Sequence, residues 1–206
     1  MSAVIGKPVR RPDVPGKVTG AARYAGDLNL PGMLHAKIKR STVAHALIKR
    51  IDVSKAKAHP GVKAVLTHES VPRVLHYGSP HPRSASLACD QYILDSKVRY
   101  WGEGVAAVAA VSEEIADEAL DLIEVEYEEL PAAFTLEQAM AAGAPVIHQR
   151  KDNLVVDPVL VRRGDVERGF AEADVIIEGT YEMGRPTPAY MEPNVCVCQF
   201  DDEGKL

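Results

Sequence analysis

The chain has 206 residues, with 24 Lys+Arg against 29 Asp+Glu for a formal charge of −5, and 46% of its residues are hydrophobic. This is the balance of a globular protein long enough to bury a real core, and it argues against a disordered chain. No apolar run reaches the roughly 20 residues of a membrane-spanning helix, no h-region marks a secretory signal, and the scattered basic residues form no stripe for nucleic acid, so the expected setting is the cytoplasm.

Residues 1–18, with Pro8, Pro12 and Pro15 among basic residues, read as an extended N-terminal arm. The Pro31-Gly32 turn then leads into MLHAKIKR (33–40), whose apolar–polar alternation predicts a half-buried strand. LIKRIDV (47–53) predicts a second strand, Ser54 is placed to cap a one-turn helix over KAKAHPG, and Pro60-Gly61 ends it. VKAVLTH (62–68) alternates as a strand, and Pro72 to Asp90 reads as a long loop. ILDSKVRYWG (93–102) reads as extended structure.

The middle of the chain carries the clearest signals. VAAVAAV (105–111) is a continuous apolar run suited to the centre of a sheet. Ser112 caps a helix whose Ile115, Ala119, Leu122 and Ile123 share one face, and Glu113 and Glu114 suit its N-terminal dipole. VEYEEL (125–130) alternates as a strand until Pro131. The fold class is therefore α+β, with helix cover on one side of a sheet. A short helix is predicted over 136–141, a second over 166–173, and strands over 175–181 and 194–200. Asp201 to Gly204 reads as a hairpin turn with Lys205-Leu206 beginning a returning strand, so the last unit is expected to be incomplete by itself.

Few residues look chemical. Cys89, Cys196 and Cys198 lack CxxC spacing, and alternation places Cys196 and Cys198 on one strand face as buried small side chains. His76 and His81, near Tyr77 and Arg83, are the best local histidine cluster, with solvated loop residues as the default and ligand binding second. There is no GxSxG, Walker or GxGxxG motif. Glu192, in Tyr190-Met191-Glu192-Pro193, is a candidate for the rim of a substrate channel, weighed against a salt-bridged anchor.

The order of segments is more telling than any local motif. Lys17 to Tyr24 with Asp27, Pro31 to Ala36, Arg40-Ser41 with Ala44-His45-Ala46 and Ile48, and the stretch HPGVKAVLT (59–67) resemble the opening of the molybdenum subunit of the xanthine dehydrogenase/aldehyde oxidase family. Lys97 to Tyr100 with Gly102-Glu103 and Val105 to Val108, Val125 with Tyr127-Glu128 and Leu130-Pro131, Gly164-Asp165-Val166 with Gly169-Phe170 and Ala173-Asp174, and Met191-Glu192-Pro193 follow in the same order. The resemblance implies an α/β-hammerhead domain over 19–130, a linker with a short helix over 131–150, and the beginning of a first molybdopterin-binding domain over 151–206. It further implies a molybdenum–pterin oxidoreductase that hydroxylates aldehydes, purines or N-heterocycles, or reductively dehydroxylates aromatic thioesters, with [2Fe-2S] clusters and FAD on partner subunits.

The glycine-rich segment, the glutamine-bearing strand and the late catalytic glutamate of that family have no counterpart in these residues, and Pro188 stands where many relatives carry a histidine. No catalytic, cofactor-binding or metal-binding residue is therefore carried over, and no cofactor is expected to be held by this chain alone. The expected role is structural: walling a substrate channel and docking onto the remaining molybdenum-subunit chain and the iron–sulfur and flavin subunits. The rival reading is a non-catalytic binding module that uses the loop from His76 to Arg83.

Overall fold

The computed structural model describes residues 5–76, 91–148, 153–154, 160–161, 163–184 and 186–206. Its elements are α1 (Val14–Val18), a 3-10 turn (Ala25–Asp27), β1 (His35–Arg40), β2 (Ala46–Asp52), α2 (Ser54–Ala58), β3 (Val62–Thr67), β4 (Lys97–Val98), β5 (Gly104–Ala110), α3 (Glu113–Asp121), β6 (Glu124–Glu129), α4 (Leu136–Met140) and α5 (Val166–Ala171). They group into two units, one spanning 32–164 and one combining the N-terminal residues through Pro31 with 165–206.

In the first unit two three-stranded antiparallel sheets form, in the orders β1-β5-β3 and β4-β2-β6. The apolar run takes the central position its composition predicts, with Ile38 and Leu66 both opposite Ala107, from β1 and β3 respectively. Because successive side chains of a strand point to opposite faces, β5 serves two cores. Ala106 and Val108 pack with Val65 of β3, Ala56 of α2, and Ala119 and Ile123 of the α3 region. Val105 packs with Ala46 and Ile48 of β2 and Val98 of β4. Val98, Val105 and Val108 are fully buried, each worth about 1.5–3 kcal/mol of apolar transfer.

The helices cover one face for local reasons. Ser112 Oγ accepts the Ile115 amide at 3.3 Å and caps α3 as its sequence predicts. For α2 the cap position falls one residue earlier, on Val53, whose side chain cannot cap; Asp52 Oδ1 just before it accepts both the Ser54 amide (2.9 Å) and the Ser54 hydroxyl (2.7 Å), so Ser54 is the first helical residue and not the cap. Gly61 sits at φ +89° against α3, where a Cβ would lie 2.8 Å from Ile115 Cδ1. Only glycine meets both demands. Lys49–Glu128 (2.6 Å) and Arg50–Glu126 (3.0 Å) within the second sheet, and Lys55 of α2 with Glu124 (2.5 Å), offset the acidic row on β6; all three pairs are solvent-exposed and screened, so they add little to stability.

The second unit departs from the sequence reading at three points. The N-terminal arm is not extended throughout: Val14–Val18 winds into one turn, with a proline where the helix has no amide hydrogen bond to lose. Asp13 accepts from Arg11 and Lys17, and Thr19 Oγ1 closes the turn on Pro15 O at 2.7 Å. Helix α5, capped by Asp165 Oδ1 on the Arg168 amide (3.0 Å), ends at Ala171, two residues before the predicted 173. The segments 175–181 and 194–200 form no strand among the described residues and stay exposed. A strand exists only through a partner's hydrogen bonds, and alternation alone supplies none. The turn after them does form: Gly204 adopts φ +77°, and the Asp201 amide donates to Lys205 O at 2.9 Å.

Candidate functional site

The densest group of buried charge lies around β4. Asp95 is 6% exposed; its carboxylate accepts from Arg99 Nη1 (2.8 Å), Arg73 Nη1 (2.9 Å) and the Ser96 amide (2.7 Å). Burial works to raise the Asp95 pKa, yet the hydrogen bonds from Arg99 and Arg73 outweigh it and hold the carboxyl below its ordinary value. Glu103 Oε2 accepts the Arg99 amide at 2.5 Å, and burial pushes its acid upward against the pull of Arg99. The Arg73 guanidinium lies 3.7 Å over the Tyr92 ring. These contacts fix the backbone of 95–103, and Arg99 Nε is left buried without a hydrogen-bond partner among the described residues.

A second group fastens the connection beyond β6. His45, 4% exposed, places Nδ1 2.6 Å from Pro131 O, a contact that requires the proton on Nδ1, and the Leu130 amide donates to His45 O at 2.8 Å. Its Nε2 is buried with no hydrogen-bond partner among the described residues. Burial lowers the His45 pKa, the Pro131 carbonyl opposes, and the positive charges of Lys97 and Arg99 and the nearby His148 add to the lowering. Lys97 Nζ donates to Val146 O (3.3 Å) and Ile147 O (2.7 Å). Asn153, at φ 54°, accepts the Ile147 amide (3.0 Å) and donates to Ala139 O (3.0 Å) and Pro145 O (2.9 Å). Three side chains thus tie residues 131–147 to the sheets and to one another.

The sequence candidates fall elsewhere. Glu192 is exposed and has no ion pair or hydrogen bond among the described residues. Cys196 and Cys198 do share a side, with Sγ atoms 3.5 Å apart, but both are exposed where alternation predicts burial, because no neighbouring strand covers them. His76 pairs with Gln91 at the base of its loop (N to O 2.9 Å), whereas Tyr77, His81, Arg83 and Cys89 lie outside the described residues. Conversely, nothing in the sequence singles out the site formed by Asp95, Arg99 and Glu103. The segment reads as extended, and the three charges come together only because a two-residue strand and a turn at Gly102 fold it back on itself.

The molybdenum–pterin group implied by the resemblance can be tested against these residues. A pterin dithiolene needs many convergent donors in a dry cavity. Among the described residues no group of three His, Cys, Asp or Glu suits a metal, and none of 165–206 is buried. The open cleft beside α5 is lined by side chains without donors, among them Val166, Phe170, Val175 and Ile177. The described residues do not fit the group, and no chemical step is derived through it.

Comparison with known proteins agrees with the topology. Residues 19–131 match the family model described as aldehyde oxidase and xanthine dehydrogenase, a/b hammerhead domain, and residues 147–206 match that of a molybdopterin cofactor-binding domain. The chain is 42% identical to a probable xanthine dehydrogenase subunit of Bacillus subtilis (strain 168), over 98% of this chain and 26% of the relative. It is 38% identical to the nicotinate dehydrogenase large molybdopterin subunit of Eubacterium barkeri, over 98% of this chain and 46% of that one. The aldehyde oxidoreductase structure from Desulfovibrio gigas superposes with a TM-score of 0.68 at 36% identity, covering 80% of this chain and 19% of that chain. The chain thus spans less than half the length of these relatives. With more than half of its residues inside the hammerhead model, and two antiparallel sheets whose cores both take side chains from β5, the chain belongs to the aldehyde oxidase and xanthine dehydrogenase family of oxidoreductases.

Proposed function

We propose that this chain supplies the hammerhead domain, over 19–130, and the first part of a molybdopterin-binding domain, over 151–206, to a molybdenum-cofactor oxidoreductase. Its substrates are aldehydes, purines, other N-heterocycles or aromatic thioesters, which the enzyme hydroxylates or, for the thioesters, reductively dehydroxylates. The observation that carries this reading is the match to the family's hammerhead and cofactor-binding models in that order along one chain. Relatives named as xanthine and nicotinate dehydrogenase subunits support the purine and N-heterocycle classes and an assembly of several subunits, and the aldehyde oxidoreductase structure supports the aldehyde class.

Within that assembly the chain's work is to shape and hold. The ion cluster around Asp95 fixes the 95–103 segment, and His45, Lys97 and Asn153 set the path of 131–147 toward the cofactor-binding residues. Glu192 stands at the rim of the channel that admits substrate. In the complete enzyme a molybdenum–pterin group held by residues outside this chain would supply the redox chemistry, with iron–sulfur and flavin subunits in the cytoplasm as its electron partners.

The test is purification of the complex that contains this chain from its native host, followed by metal analysis and intact mass. Molybdenum and iron in near-stoichiometric amounts with partner chains, and turnover of a purine, nicotinate or aldehyde, are expected. A metal-free species without partners contradicts the proposal.

A further inference from the structure

Cys196 and Cys198 are a feature that the proposed function leaves unused. Both thiols are exposed, and their Sγ atoms stand 3.5 Å apart, across a weak S–H···S hydrogen bond. In an extended chain, side chains two residues apart start roughly 6.6 Å apart at the backbone, so this separation means that the two side chains lean together. That backbone spacing is inside the roughly 4.4–6.8 Å range over which disulfides form. Pro193 precedes the pair and the hydrogen-bonded turn at Asp201 to Lys205 follows it, while no strand ladder occupies 194–200.

We propose that Cys196 and Cys198 form a reversible dithiol–disulfide pair, oxidised by a low-molecular-weight disulfide of the glutathione class. One cysteine thiolate attacks the small disulfide, forming a mixed disulfide and expelling one small thiolate. The second cysteine then attacks the protein sulfur of that mixed disulfide, closing the intrachain bond and expelling the second small thiolate. The cysteines lose two electrons, the small disulfide gains them, and the two thiol protons end on the two released thiols. The reverse exchange with excess small thiol restores the pair. Hydrogen bonding to Cys196 and its charge hold the Cys198 thiol pKa above the ordinary value, so the reaction is slow near neutrality and quickens as pH rises.

The test uses the whole protein that carries this chain, in a Cys89→Ser background, exposed to glutathione disulfide and then alkylated for peptide mass spectrometry. The expected product is a peptide containing residues 196–198 that is lighter by two hydrogens and takes up no alkylating reagent, formed roughly tenfold faster at pH 8 than at pH 7. Cys196→Ser and Cys198→Ser are each expected to stop at the glutathione adduct. A native protein that stops at the adduct with both cysteines present overturns the proposal. So does one whose two thiols stay unmodified while a control peptide reacts.

Discussion

Residues 62–67 and 175–181 have similar patterns of β-branched residues, yet they end in opposite states. VKAVLT becomes β3, pairs with β5 from Val62 to Thr67 and buries Val65 to 7% exposure. VIIEGTY pairs with nothing among the described residues, and Ile177 is 88% exposed. The difference lies in the neighbours. β3 has a central strand on one side and α2 and α3 across its face, whereas Val175 to Ile177 share an open cleft with the short helix α5 and pair with no strand among the described residues. Local pattern proposes a strand, and the partner decides it.

The largest expected effect inside the first unit is Arg99→Ala. It removes the guanidinium from Asp95 and leaves a buried carboxylate with only Arg73 and the Ser96 amide. A loss of about 3 kcal/mol in denaturant unfolding is expected, the cost of breaking a buried pair. Gly61→Ala comes next at about 2 kcal/mol, because the residue combines φ +89° with a 2.8 Å approach to Ile115 Cδ1; thermal melts of the purified variant measure it. Ser112→Ala, which removes only the α3 cap, is expected to cost about 1 kcal/mol in the same melts.

Acid sharpens the comparison from another direction. Burial lowers the His45 pKa in the fold while an unfolded histidine takes up a proton near 6.5, so around and below that pH the unfolded state binds more protons and stability falls as pH falls. A stability series from pH 7 to pH 5 is expected to slope downward in the native chain and to flatten in His45→Gln. Asp95 adds to the loss only at lower pH, and Glu103, shifted upward by burial, works against it there. The smallest effect is expected in the second unit: Ile177→Ser changes unfolding by less than about 0.5 kcal/mol, because its side chain has little burial to lose. A cost of about 2 kcal/mol there breaks the comparison.

Much of the first unit is legible because period and burial coincide in it. The alternation of 33–40, the apolar run at 105–111 and the Ser112 cap each lead to the element that forms. The α2 cap is misplaced by sequence because Asp52, one residue before the Val53 cap position, takes the Ser54 amide and hydroxyl and draws Ser54 into the helix, a pairing that Ser54's own capping preference hides. α1 is hidden by its own composition, since Pro15 and Gly16 read as breakers although proline suits a first turn. The site is less legible than the fold. Asp95, Arg99 and Glu103 meet through a strand and a turn, and His45 reaches Pro131 across 86 residues, a contact that no local pattern encodes.

The most direct measurement is peptide-resolved hydrogen exchange on the chain. Slow exchange across 104–110 and 46–52, together with rapid exchange across 175–184 and 194–200, is the predicted result. Equal protection of the two sets contradicts the claim that residues 32–164 hold their own core while the described residues of 165–206 form none.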